Sequence, residues 1–141
     1  MATITWGFDF DDVLCLTPRL PVSAHFVKKL LIQAPPLHGW GLMQFAPQLQ
    51  LLTFVREIQA QGARIVIVSG RRTWVSRRTE QWLREAGLEV DAVVHKPPFD
   101  RRSTPQYKVE ALRALECQAF VDDDPKNVDA INRAGGCIAF L

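Results

Sequence analysis

The chain has 141 residues, 48% of them hydrophobic and 23% charged, with a formal net charge of +2. That composition is ordinary for a soluble globular protein, and a charge this small selects neither nucleic acid nor a membrane as partner. The length suits one domain burying about two thirds of its unfolded surface, so folding requires neither a disulfide framework nor a structural metal.

Thr3 to Phe8 is β-branched and aromatic and stops at acidic residues, which predicts a strand. Met1 to Trp6 carries no basic region and no long apolar run, so no signal peptide or transmembrane segment is expected. Ser23 to Gln33 places Phe26, Val27, Leu30 and Leu31 at helical spacing before Pro35-Pro36 and reads as a short helix. Leu37 to Phe45 reads as irregular. Pro47 to Gln61 is an amphipathic helix with proline in its first turn and Gly62 just past its end. Arg64 to Val68 is a nearly continuous apolar run, the pattern of a strand buried on both faces.

Trp74 to Ala86 is helical, closed by Gly87. Asp91 to Val94 gives a further strand. Thr104-Pro105 starts the next helix, with Thr104 as cap and Val109, Leu112 and Leu115 on one face. Gln118 to Val121 is a strand, Asp124-Pro125 opens a helix to Ala134, Gly135-Gly136 breaks it, and Cys137 to Leu141 is the last strand. Strands alternating with helices predict a three-layer α/β/α sandwich on a parallel, Rossmann-like sheet. The chain reads as a single domain over residues 1–141, with the long first connection, about residues 15 to 46, as a small cap insertion after the first strand. Cys15, Cys117 and Cys137 are odd in number and suit neither a zinc site nor a disulfide framework, the pattern of reduced thiols in a cytoplasmic protein.

In an open parallel sheet, ligands bind beyond the carboxyl ends of the strands. Asp9, Asp11 and Asp12 follow the first predicted strand here, Ser69-Gly70-Arg71-Arg72 the second, His95-Lys96 the third, and Asp122, Asp123 and Asp124 the fourth. Solvated loops explain one or two such clusters, not carboxylates converging from two strands. Two carboxylates 4 Å apart repel by roughly 4 kcal/mol at an effective dielectric of about 20, so the group needs a cation or a basic partner. Carboxylate oxygens favour Mg²⁺.

The pattern resembles the haloacid dehalogenase (HAD) superfamily of phosphatases. Asp9-Phe10-Asp11-Asp12-Val13 matches its first motif, Ile65-Val66-Ile67-Val68-Ser69 with Gly70-Arg71 its second, and Phe120-Val121-Asp122-Asp123 with Pro125 and Asn127 its fourth. The third motif is a lysine: Lys96, in His95-Lys96-Pro97-Pro98, or Lys108, which is favoured. Asp100-x-Arg102 followed by Lys108 is similar to the phosphatase domain of polynucleotide kinases, and a Thr-rich turn before Lys is similar to class B acid phosphatases.

The resemblance implies that Asp9 attacks phosphorus to form an aspartyl-phosphate and that Asp11 acts as acid and then base. It implies a Mg²⁺ ion held by Asp9, Asp11 (through its backbone carbonyl), Asp122 and Asp123. Ser69 would bond the phosphoryl group, Lys108 or Lys96 would offset its charge, and Gly70 and Arg71 would add binding contacts. Many relatives carry Gly where this chain has Asp12; Asp12 reads as solvent-facing and Asp124 as a helix cap.

The implied substrate is a phosphomonoester. Trp40 and Phe45 could line its entrance or pack in the core. Arg71, Arg72, Arg77, Arg78, Arg101 and Arg102 read either as a basic rim for a nucleic-acid backbone or as a face balancing the acidic cluster. Nucleic-acid ends, small phosphometabolites and a silent phosphate-binding module therefore all stay open; no membrane partner is expected.

Overall fold

The computed structural model describes residues 3–16 and 46–141. The predicted helix Ser23–Gln33, the irregular stretch with Trp40 and Phe45, and nearly all of the expected cap lie outside the described residues. The main sheet has five parallel strands: β1 (Thr5–Phe8), β4 (Arg64–Arg72), β5 (Ala92–Lys96), β6 (Ala119–Val121) and β7 (Ile138–Phe140). Their spatial order is β5-β4-β1-β6-β7, and every neighbouring pair is parallel. Two short strands, β2 (Cys15–Leu16) and β3 (Ala46–Pro47), pair antiparallel. The helices are α1 (Leu49–Ala60), α2 (Ser76–Glu85, entered through a 3₁₀ turn at Thr73–Val75), α3 (Thr104–Ala114) and α4 (Pro125–Ala134).

The alternation of side chains along β4 splits the core. Ile65 and Ile67 face one layer with Phe8, Leu52, Val55, Trp82 and Leu83, which belong to β1, α1 and α2. Val66 and Val68 face the other layer with Tyr107, Leu112, Phe120 and Ile131, from α3, β6 and α4. The predicted three-layer sandwich is therefore present. The apolar run of β4 is buried on both faces because helices cover both.

Three differences from the sequence reading bear on the site. β4 does not stop at Val68 but runs to Arg72, where Arg72 pairs with Lys96 after a register shift beyond Ser69. Ser69, Gly70 and Arg71 thus lie on an irregular strand end rather than in a free loop. The cap of α3 is Ser103, not Thr104: its Oγ accepts from the Gln106 N–H at 3.3 Å, and Gln106 Oε1 accepts from the Ser103 N–H at 3.2 Å. Asp12 is half-buried, not solvent-facing, and has φ of 58°. Glycine fits that left-handed conformation best and aspartate tolerates it. Asp124 does cap α4, accepting from the Lys126 N–H at 2.9 Å.

Cys15, Cys117 and Cys137 are free thiols. Among the described residues, no helix is long and apolar enough to cross a membrane. Gly7 sits at the centre of β1, where a Cβ would meet Phe120 Cδ2 at 2.7 Å and Cys117 Sγ at 3.0 Å. Both neighbours are buried and packed. Gly7→Ala is expected to lower stability by about 1–3 kcal/mol through overpacking, read as a lower urea midpoint at unchanged slope.

Candidate active site

The site forms where β1 and β6 end side by side. The Asp9 N–H donates to the Val121 carbonyl at 2.9 Å, so the backbone stays tied to β6 one residue beyond β1. Asp9 is 7% exposed and Asp122 is fully buried. Lys108, in the second turn of α3 and 2% exposed, reaches between them. Its Nζ lies 2.6 Å from Asp122 Oδ2 and 3.2 Å from Asp9 Oδ1. Asp122 also accepts from Asn127 Nδ2 at 3.0 Å and from the Asp124 N–H at 3.0 Å. Asp123 stands on the exposed rim. Asp9, Asp122 and Asp123 each offer an oxygen within 4.8 Å of the others.

Burial raises the Asp9 carboxyl to about 8; Lys108 opposes the rise, while Asp122 and Asp11 add to it. Burial pulls Lys108 down, but attraction to Asp9 and Asp122 outweighs it, and the ammonium titrates above its ordinary value. Asp123 is pushed up to about 6 by partial desolvation of its carboxyl, then by Asp122 and Asp12. The three carboxyls together exceed what one ammonium neutralises. An all-oxygen, carboxylate-rich group of this kind fits Mg²⁺, and the buried Asn127 Oδ1 beside it has no partner among the described residues.

Asp11 points elsewhere. Arg71 grips it with both arms of its guanidinium, Nε to Oδ2 at 2.8 Å and Nη2 to Oδ1 at 2.5 Å. Arg71 is 1% exposed and stacks 4.6 Å over the Phe10 ring. The Asp11 side chain is therefore not a member of the carboxylate cluster. Ser69 is fully buried and its Oγ accepts from the Arg71 N–H at 3.1 Å. A Cβ on Gly70 would meet Thr104 Cγ2 at 3.3 Å, so the strand end passes close to the start of α3.

The two candidate lysines separate cleanly. Lys108 joins Asp9; Lys96, the last residue of β5, donates its ammonium to the Arg102 carbonyl. Burial, then Arg72, lowers its pKa there. Asp100 and Arg102 pair with each other, and Arg102 also bonds Glu110, so this segment braces a turn. Hydrogen bonding from Arg102 holds Asp100 down at about 2.

The sequence reading quoted Asn127, Phe10 and His95 within its motifs and strand ends but gave none of them a role in the site. Asn127 lies five residues past Asp122, and Phe10 alternates between two acids; those spacings were the available signals. His95 pairs in register with Ser69, and neither imidazole nitrogen has a well-formed hydrogen bond among the described residues. Burial, then Arg71, lowers His95 to about 4, so the ring is neutral at pH 7. Beside the cluster opens a cavity of about 340 Å³ lined by Asp12, Val13, Gln48, Leu51, Asp122 and Asp123.

A family model described as the HAD domain in Swiss Army Knife RNA repair proteins matches residues 8–131. Comparison with curated proteins finds no match. Two chains from structures of the Pnkp1/Rnl/Hen1 RNA repair complex superpose with TM-scores of 0.74 at 19% identity. They cover 98% and 99% of this chain, which spans 42% and 46% of theirs. A HAD-superfamily hydrolase from Ehrlichia chaffeensis superposes with a TM-score of 0.57 at 12% identity, covering 96% of this chain and 90% of its own.

Lys108→Met leaves two buried carboxyls facing each other and is expected to cost about 3–5 kcal/mol of stability. The Lys108→Met, Asp122→Asn double variant should recover part of that loss in chemical denaturation, as a double-mutant cycle. For His95, the folded pKa lies below the unfolded one, so the unfolded chain binds the extra proton and this group costs stability as pH falls from about 7 towards 4. His95→Gln should flatten that slope; equal urea midpoint slopes with pH in both proteins would refute it.

Proposed function

The chain belongs to the family of HAD domains found in Swiss Army Knife RNA repair proteins, and from that membership we propose that it is a Mg²⁺-dependent phosphomonoester hydrolase with Asp9 as nucleophile. The observation that carries this reading is the Asp9 carboxyl, buried, 3.2 Å from the Lys108 ammonium and grouped with Asp122 and Asp123. Asp9, Asp122 and Asp123 would hold the ion by their side chains, with the backbone carbonyl of Asp11 as the further protein ligand. Bound there, Mg²⁺ would supply positive charge against the phosphoryl oxygens.

The residues of the chain supply the rest. Asp9 attacks phosphorus and the P–O bond to the alcohol breaks, giving an aspartyl-phosphate that water then cleaves. Lys108 keeps Asp9 oriented and offsets phosphoryl charge, and Ser69 donates a hydrogen bond to a phosphoryl oxygen. Asp11 protonates the leaving oxygen and then takes the proton of the attacking water. Arg71 occupies both oxygens of Asp11 before substrate arrives. A phosphate presents the same two-oxygen edge as a carboxylate, so substrate competes for the guanidinium fork and frees Asp11 for proton transfer.

Nucleic-acid ends are the substrate this reading favours. It is supported by a family named for RNA repair proteins and by the arginines Arg72, Arg77, Arg78 and Arg101 near the same sheet edge. A small-metabolite phosphatase is the second reading, favoured by the cavity of about 340 Å³, a size that suits a small ligand.

A generic chromogenic phosphate ester with Mg²⁺ tests the chemistry. Turnover should fall to background in Asp9→Asn, and retained turnover would remove Asp9 as nucleophile. Without substrate, Mg²⁺ at about a hundredfold over its dissociation constant should add about 2.7 kcal/mol of stability to the wild type, and much less to Asp123→Asn. An equal thermal shift in both proteins would remove Asp123 from the metal set.

A further inference from the structure

One aromatic side chain in this fold is held out into water by a rigid turn. Phe99, in Pro97-Pro98-Phe99-Asp100, is 94% exposed. The turn that carries it is tied on all sides. The Asp100 N–H donates to the Pro97 carbonyl at 3.2 Å. Arg72 Nη1 donates to the Pro97 and Asp100 carbonyls at 2.8 and 3.3 Å. Asp100 receives the Arg102 N–H and its guanidinium, and Lys96 closes the loop through the Arg102 carbonyl. Two prolines remove further freedom. A loop that needed only to connect β5 to α3 would not require this bracing, and an apolar ring gains nothing by standing in water.

The position of the turn gives the ring a use. Arg72, which clamps it, follows Arg71, the residue that holds Asp11. Thr73 Oγ1 also ties the strand end to the Lys96 carbonyl at 3.3 Å, and the next residue, Trp74, is 50% exposed. Two exposed aromatic rings therefore flank the catalytic edge of β4 and β5. Exposed Arg77, Arg78 and Arg101 stand on the same loops and helix start; of the acids near them, Asp100 is paired with Arg102 and Glu80 is exposed. Aromatic faces among cations match a strand of unpaired bases on a phosphate backbone.

We infer that Phe99, with Trp74, is a stacking platform that holds the unpaired terminal bases of a single-stranded nucleic acid while its phosphate enters the Asp9 site. This rests on the phosphohydrolase reading and adds the substrate's strandedness and the residue that selects it. A blunt duplex keeps its bases stacked on each other and offers Phe99 no free face. Stacking is tolerant of base identity, so little sequence preference is expected.

Binding is read by fluorescence anisotropy with a labelled single-stranded RNA of about ten nucleotides bearing a terminal phosphate, beside a blunt duplex of the same sequence. Phe99→Ala should weaken single-strand binding about tenfold relative to any change for the duplex, and Phe99→Trp should restore it. Hydrolysis of the small chromogenic ester is followed in parallel, and Phe99→Ala should affect it about tenfold less than it affects the oligonucleotide. Wild-type affinity in Phe99→Ala, an equal loss on the duplex, or failure of Phe99→Trp to rescue would each overturn the inference. If the wild type binds no single strand, the inference falls and the surface belongs to another kind of partner. If the wild type hydrolyses no ester, the proposed chemistry falls instead, because anisotropy is read without turnover.

Discussion

The Lys108 ammonium lies between Asp9 and Asp122, three charged groups at the meeting point of β1, β6 and α3. Each would be costly to bury alone. Together they satisfy one another, and the geometry of everything around them follows. Asp9 and Asp122 must end adjacent strands, which requires β1 beside β6. Lys108 must descend from the helix that packs on that face, which fixes α3 against β4 and α4. The burial that tightens this contact also raises the Asp9 carboxyl above its ordinary value, and with Asp123 beside it the cluster holds more carboxyls than its one ammonium can balance. Stability and function draw on the same shortage: the fold tolerates it, and a cation relieves it.

A second, separate contact governs the other half of the site. Arg71 and Asp11 are 60 positions apart in sequence, yet pair through two hydrogen bonds over the Phe10 ring. The acidic stretch after β1 is thereby divided. Asp9 turns towards Lys108, and Asp11 turns to Arg71. Two neighbouring carboxyls of the same chemical kind acquire different environments, a common route to separate roles in one site.

Much of this was legible in the sequence because periodicity and strand ends are local signals. The apolar run Arg64–Val68 showed a strand covered on both sides. The acids after Phe8 and Val121 marked one edge, and Gly87 and Asp124 marked helix ends that the structure retains. The Ser103–Gln106 capping box was present in the letters, but Thr104-Pro105 offered a competing start. What stayed hidden depends on long-range geometry. Spacing alone left Lys96 open beside the favoured Lys108, because Lys96 ends β5 and Lys108 follows it on α3; the turn through Pro97 and Arg102 holds the Lys96 ammonium. Nor does the composition of Ser69-Gly70-Arg71 reveal that β4 continues past Val68 through a register shift. The Arg71–Asp11 fork and the placing of His95 beside Ser69 and Arg71 belong to pairs of distant segments, for which a single sequence carries no local pattern.

The cap of α3 acts as an index mark for the whole centre. Ser103 and Gln106 fix where the helix begins, and Pro105 sets its first turn. From that origin each residue advances about 100° and 1.5 Å, so the five steps to Lys108 decide the direction in which its amine points. One extra residue between Ser103 and Lys108 would swing the amine by more than a quarter circle, off Asp9. The interval from Ser103 to Lys108 is thereby fixed in length, and the braced turn before it sets where that interval starts.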